Sequence, residues 1–264
     1  MANYYRFVLS EIMQKLSVAI ITLNEERDIA RCLESVGDIA DEIVVVDSFS
    51  TDKTESICSQ YGARFIRHKF EGYIEQKNYA LSQTSFQYVL SLDADEALSE
   101  ELKTSVLQAK SGFRADGYTM NRLTNYIGTW IHHCGWYPDT KLRLFNRNKG
   151  KWDGINPHDE FRFFEKASIL KLKGDLLHYS YHSLRDHHKQ IEHFTSIAAK
   201  AYFEKGKKAP LIKLIFSPPV RFVRDYFFLL GVLDGKAGLR ICYLSAGATF
   251  KKYKKLRKIY QQAK

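Results

Sequence analysis

Apolar positions along the first hundred residues fall into short runs, and each run ends in acids or amides. Leu16–Thr22 (LSVAIIT) reads as a buried strand that stops at Asn24-Glu25-Glu26. Ile29, Cys32, Leu33 and Val36 then recur at helical spacing. Glu42–Asp47 (EIVVVD) is a second strand closing on an acid, followed by a polar loop from Ser48 to Thr54. In that loop Asp52 stands as helix N-cap, and Glu55 three residues on completes a capping box. Ala63–His68 is a third strand, and Ile74–Ser82 a short helix carrying Gln76-Lys77-Asn78. Tyr88–Asp93 is a fourth strand, with Val89, Leu90 and Leu92 apolar, and it runs out into Asp93-Ala94-Asp95-Glu96.

Strand and helix alternate through this region, which predicts an α/β fold: a mostly parallel, nucleotide-binding sheet with helices on both faces. In such sheets ligands meet the carboxyl ends of the strands, where Asp47, Asp93 and Asp95 fall. No GxGxxG follows the first strand, which counts against an NAD-type site. A helix capped by Ser99 runs to about Lys110, and there the alternation breaks. Asp116–Leu123 and Lys141–Asn146 look like strands around an aromatic loop with Trp130, Trp136 and Tyr137. The segment from Trp152 to Glu160 is turn-rich. Strand-like pieces continue to Tyr181, a helix follows through about Tyr202, and Pro210, Pro218 and Pro219 break the remainder into short helical pieces.

The net charge of +10 is unevenly placed. From Lys205 onward there are 15 Lys and Arg against 2 Asp and Glu, so the first 204 residues carry a net −3. The basicity belongs to the tail and points to an anionic partner surface, membrane phosphate or nucleic acid. Four scattered cysteines with no CxxC pair suggest a reducing compartment and no structural zinc. No apolar run reaches the length of a membrane span, and no signal peptide is legible at the start.

As hard oxygen donors at a strand end, Asp93 and Asp95 suit Mg²⁺ or Mn²⁺ shared with a diphosphate. The same residues also describe a solvated turn before a capped helix, so the pair alone decides nothing. The four histidines at 182, 187, 188 and 193 lack a metal-ligand spacing and read as helix-face residues.

Taken in order, LSVAIITLNEE, EIVVVDSFSTDKT, QKNYAL and YVLSLDADE resemble the family 2 glycosyltransferases of the GT-A fold. WYPDTKLRLFNR and the His158-Asp159-Glu160 turn extend the resemblance, which is nearest to bacterial lipopolysaccharide-core glucosyltransferases. It implies an inverting, metal-dependent transfer of a hexose from a UDP-sugar to a membrane glycolipid. It also divides the chain into a dispensable leader (1–15), a catalytic domain (16–203) and a basic helical tail (204–264).

The resemblance assigns Thr22, Asn24, Glu25 and Asp47 to the nucleoside, Lys77 to the nucleotide or its phosphates, and Asp93 to the ribose. A carboxylate suits an imide N–H or a ribose hydroxyl because it only accepts hydrogen bonds, whereas Asn24 could instead cap the following helix. Asp95 is the implied metal ligand, with His178 as a second ligand or a structural histidine. The base that deprotonates the acceptor hydroxyl is Glu160, with Asp159 as second choice, because related sequences read Val-His-Glu in this region. Asp139 and Arg143 shape the acceptor site or brace its loop.

In the tail, Phe250, Tyr253, Leu256, Ile259 and Tyr260 recur at helical spacing among six lysines and arginines. This pattern describes a helix lying in an anionic membrane interface, or a core-packed helix with a solvated face. The first reading puts the protein on the cytoplasmic face of the inner membrane. Two competing functions are a nucleotidyltransferase, for which the phosphate loop after the first strand is missing, and a nucleic-acid binder. The latter leaves the acids at the strand ends unexplained, so nucleic acid is not expected as a partner.

Overall fold

The structure, a computed structural model, describes residues 14–155 and 158–263. The expected leader lies outside these residues except for its last two, as do Asn156 and Pro157 of the turn-rich segment. The chain forms two compact units, one from Met1–Arg122 with Asp139–His178 and one from Leu123–Pro138 with Tyr179–Lys264, as far as these are described.

In the first unit β1 (Leu16–Thr22), β2 (Glu42–Asp47), β3 (Arg64–Arg67) and β4 (Tyr88–Asp93) pair in parallel in the order β3-β2-β1-β4. The helices between them are α1 (Ile29–Val36), α2 (Thr54–Gln60) and α3 (Tyr73–Gln83). Beyond β4 the sheet continues with β8 (Asp139–Asn146), β6 (Gly117–Tyr126), β11 (Ile169–Tyr181) and β5 (Glu96–Leu98), and β7 (Thr129–Ile131) pairs with β6. β4–β8, β6–β8 and β5–β11 are antiparallel, consistent with the loss of βα alternation after Lys110. The mixed α/β fold expected from the apolar runs is therefore present.

Both faces of β1 are buried, which accounts for its near-continuous apolar sequence. Leu16, Val18 and Ile20 join Ile29, Cys32, Leu33 and Val36 of α1 in one core cluster. Ala19 points the other way, toward Ala80 and Leu81 of α3 and toward Trp152 and Phe161. The parallel register sets Thr22 opposite Asp47, and Ile21 opposite Asp93. The polar ends of three strands thus meet along one edge of the sheet.

Local signals are mostly obeyed. Ser99 caps α4 (Glu100–Lys110), its hydroxyl accepting from Leu102 N at 3.2 Å. The capping box at Asp52 does not form, because Glu55 pairs with Arg67 of β3 instead. Asp52 still accepts from Thr54 N at 3.0 Å and Glu26 N at 3.0 Å. The turn-rich segment is a hairpin of β9 (Gly150–Ile155) and β10 (His158–Phe163). Phe161 holds it down by stacking on Phe145, with ring centroids 3.6 Å apart.

In the second unit α5 (Leu184–Glu204), α6 (Leu211–Val223) and α7 (Gly235–Gln262) are joined by short turns. Pro218 and Pro219 lie inside α6 instead of ending it. Much of the apolar stripe of α7 packs against α5: Leu256 is fully buried with Ala199 and Ala209, and Tyr253, Ile259 and Tyr260 pack partly buried beside Tyr202 and Phe203, while Phe250 stays 41% exposed. The small side chain of Ala199 lets α7 approach closely, so four of the five residues expected to enter a membrane are wholly or partly covered by protein. His187 is buried on α5, receiving or giving a hydrogen bond to the Tyr126 hydroxyl at 2.8 Å. Burial lowers its pKa to about 4. Trp136 stacks on Tyr181 in the same cluster. Among the described residues no helix is long and apolar enough to cross a membrane.

The close approach of β11 to α4 supplies a test of the first unit. Gly174 has φ +85°, and a Cβ there would sit 2.3 Å from Leu102 N. Gly174→Ala should cost about 2–4 kcal/mol of stability through combined backbone strain and overlap, read from the urea midpoint.

Candidate active site

The loops after β1 and β2 are tied to one another by their own polar side chains. Asn24 adopts the left-handed conformation at φ +54°, which its short amide tolerates. Its N–H donates to Ser50 Oγ at 2.7 Å, and its Oδ1 accepts from Thr51 N at 2.8 Å. Asn24 is therefore a tie between loops and not the cap of α1, whose N-cap is Asp28. Asp47 is fully buried and accepts from the Ser50 N–H at 2.8 Å and from the Ser50 hydroxyl. Thr22 is buried, and its Oγ1 has no hydrogen-bond partner among the described residues. A buried hydroxyl left unpaired at a strand end is a vacancy that a ligand polar group would fill favourably.

Glu25 follows, its N–H donating to Thr54 Oγ1 at 2.9 Å. Burial, and after it the negative charge of Asp95, raises its pKa to about 8. Burial first, and the neighbouring acids after it, thus favour the protonated form of this carboxyl.

Across from it Lys77, buried on α3, bridges two carboxylates. Its Nζ lies 3.0 Å from Asp93 Oδ1 and 2.8 Å from Asp159 Oδ2, and 4.7 Å from the Trp152 ring centroid. Arg143, buried on β8, reaches Asp93 Oδ2 at 2.8 Å and Glu96 Oε1 at 2.7 Å. Burial alone would raise the pKa of Asp93, but Lys77 and then Arg143 overcome it and hold this carboxyl well below the usual range. Glu96 has no solvent exposure, and its second oxygen accepts from Asp93 N at 3.1 Å.

Asp95 projects from the same turn toward β11, where His178 Nε2 stands 3.2 Å from Asp95 Oδ2. His178 is in register with Glu96, so pairing of β5 and β11 delivers it. The two candidate bases separate by strand alternation. Asp159 shares a face of β10 with Phe161 and Phe163 and is 11% exposed beside Lys77. Glu160 lies on the other face, 61% exposed, where it pairs with Arg162. The structure therefore gathers Lys77, Asp93 and Asp159 into one cluster and Asp95 with His178 into a second. Thr22 and Asp47 stand at the adjoining strand ends, and Glu160 points away.

The sequence does not single out Glu96 among the three acids of the turn, although it is the most deeply buried of them. It gave Arg143 no partner. The available signal was its position two residues before Phe145, on the same face of β8, because a buried arginine requires acids.

The chain belongs to glycosyl transferase family 2, whose sequence profile it matches over residues 17–169. It is 32% identical over 257 residues to an uncharacterised glycosyltransferase of Rickettsia typhi, covering 94% of this chain and 88% of that one. It is 31% identical to the lipopolysaccharide core biosynthesis glycosyltransferase LpsC of Rhizobium meliloti, covering 90% and 93% of the two chains. A crystal structure of S. aureus TarS 1–349 superposes with a TM-score of 0.45 at 16% identity, over 95% of this chain and 92% of that one. The protein is an enzyme of the glycosyltransferase class.

Removing Arg143 takes the nearer cation from the buried Glu96 and leaves it with Arg122, 3.6 Å from the same oxygen. Arg143→Met should cost about 3–5 kcal/mol in urea unfolding, and adding Glu96→Gln should recover part of that loss. Simple additivity of the two substitutions would contradict the pairing.

Proposed function

We propose that the enzyme moves a hexose from a UDP-sugar to a hydroxyl of a membrane glycolipid of the lipopolysaccharide-core kind, with inversion at the anomeric carbon. The observation that carries this reading is the meeting of Lys77, Asp93 and Asp159 with Asp95 and His178 along the carboxyl edge of the parallel strands. The core-type acceptor is supported by the likeness to LpsC across nearly the full length of both chains.

In this reading the nucleoside lies against Thr22, Asn24, Glu25 and Asp47, with the unpaired Thr22 hydroxyl as one of its partners, and the ribose lies near Asp93. Asp95 and His178 form an oxygen-and-imidazole pair that suits Mg²⁺ or Mn²⁺. Among the described residues no group of three protein donors gathers, so diphosphate oxygens and water would complete the shell. A cation bound there would offset charge on the departing diphosphate.

Asp159 is the proposed base in place of Glu160, because it faces the cluster. The acceptor oxygen forms its bond to the anomeric carbon as the bond to the diphosphate breaks; UDP departs with the electron pair, and the hydroxyl proton passes to the Asp159 carboxylate. Lys77 lies between Asp93 and Asp159 and offsets their repulsion. The enzyme would work at the cytoplasmic face of the inner membrane as a peripheral protein.

Calorimetry with UDP-, GDP- and dTDP-sugars, with and without Mn²⁺, should give binding for the uridine series alone and only with the cation. Asp95→Ala should abolish both the metal-dependent binding and turnover; full activity in excess EDTA would refute the assignment.

The base is tested separately from binding. Asp159→Asn should lower kcat by about 10²–10⁴-fold with donor affinity kept, while Glu160→Gln stays within about threefold of wild type. The reverse pattern would return the base to Glu160.

A further inference from the structure

We propose that the surface seating this protein on a membrane is the outer face of α6 with the turn that follows it, and that its occupant is an anionic lipid interface. This deepens the proposed reading, since an enzyme acting on a membrane glycolipid has to work at the bilayer. It moves the contact away from the lysine-rich end of α7, where Leu256 is buried and Tyr253, Ile259 and Tyr260 are partly buried against α5.

Along α6 the apolar side chains Ile212, Phe216, Val220 and Val223 recur at helical spacing, and all are exposed. Phe216 is 60% exposed. The chain then makes one wide helical turn at Arg224–Phe228 and reverses through Leu230, which is left-handed at φ +53°. That reversal presents Phe228 at 77% and Leu233 at 64% exposure. A groove of about 560 Å³, lined by Pro218, Phe222, Val223 and Tyr243 among others, runs along the same helices. A contiguous apolar face of this kind is uncommon on a monomer and marks an interaction surface.

Charge selects the occupant. Between Leu211 and Tyr243 there are five basic residues and two acids. Both acids are turned inward: Asp225 is held by Arg221 and Arg224, and Asp234 by His133. The solvent side of the face is therefore apolar and positive, matching acyl chains and anionic headgroups together. A second copy would set like charges against one another. Among the described residues no helix can span a bilayer, so the geometry is that of a helix lying in the interface.

The test is flotation of the full chain with phosphatidylcholine vesicles, with or without phosphatidylglycerol, alongside calorimetry of UDP and Mn²⁺. Wild type should float with the anionic vesicles and be only partly released by high salt, which screens the charges but not the burial. Phe216→Glu with Phe228→Glu should lower vesicle affinity by about tenfold or more, with UDP affinity unchanged. In a second measurement, Phe228→Trp should be quenched by brominated acyl chains in anionic vesicles. Undiminished flotation of the double variant, absence of flotation by wild type, or absence of quenching would each overturn the proposal. So would a wild-type dimer that the double variant abolishes. A wild type that floats with anionic vesicles but binds no UDP would sink the donor assignment and leave this surface standing.

Discussion

The guanidinium of Arg143 is the fixed point of the site. It lies between Asp93 and Glu96, two carboxylates three residues apart on the turn that leaves β4. Glu96 is fully buried, and its charge is tolerable because Arg143 pairs with it, Arg122 stands 3.6 Å away, and the Asp93 N–H bonds to its second oxygen. An unpaired buried carboxylate is costly enough that β8 and the acidic turn must stay together. That constraint sets the direction of Asp93 and leaves Asp95, between the two anchored residues, as the acid able to point elsewhere.

Parallel register carries the same constraint outward. Because Ile21 stands opposite Asp93 and Thr22 opposite Asp47, fixing one strand end fixes the others. The short side chains of Asn24, Ser50 and Thr51 then lock the loops together. These loops are positioned by hydrogen bonds between themselves and do not depend on hydrophobic packing. A polar site can in this way be rigid where no core reaches it.

This half of the molecule was legible because each apolar run of β1, β2 and β4 ends in the group that later faces the ligand edge. The hairpin β9–β10 was not, since Gly150, Gly154 and Pro157 read as turn residues and the segment's strand character comes from Phe161 stacking on Phe145. Choosing between Asp159 and Glu160 had the same origin. Neighbouring residues on a strand face opposite ways, and a motif gives no register. The apolar stripe of α7 was ambiguous for a different reason. A helix with lysines on one side and aromatic residues on the other fits protein or lipid equally well, and only the presence of Ala199, Tyr202 and Phe203 on α5 decides it.

The uneven charge of the chain gains a meaning from these placements. Lys77 and Arg143 are the buried cations of the site, and both are engaged by Asp93, Asp159 and Glu96. Burial, and after it the negative charges of Asp95, Asp28 and Asp52, raise the pKa of the Glu25 carboxyl to about 8. A nucleoside diphosphate entering such a place on the proposed reading meets repulsion that the protein's own cations do not cancel. On that reading the compensating charge arrives with the donor, which would make donor affinity and cation affinity mutually dependent, each strengthening the other by the same factor.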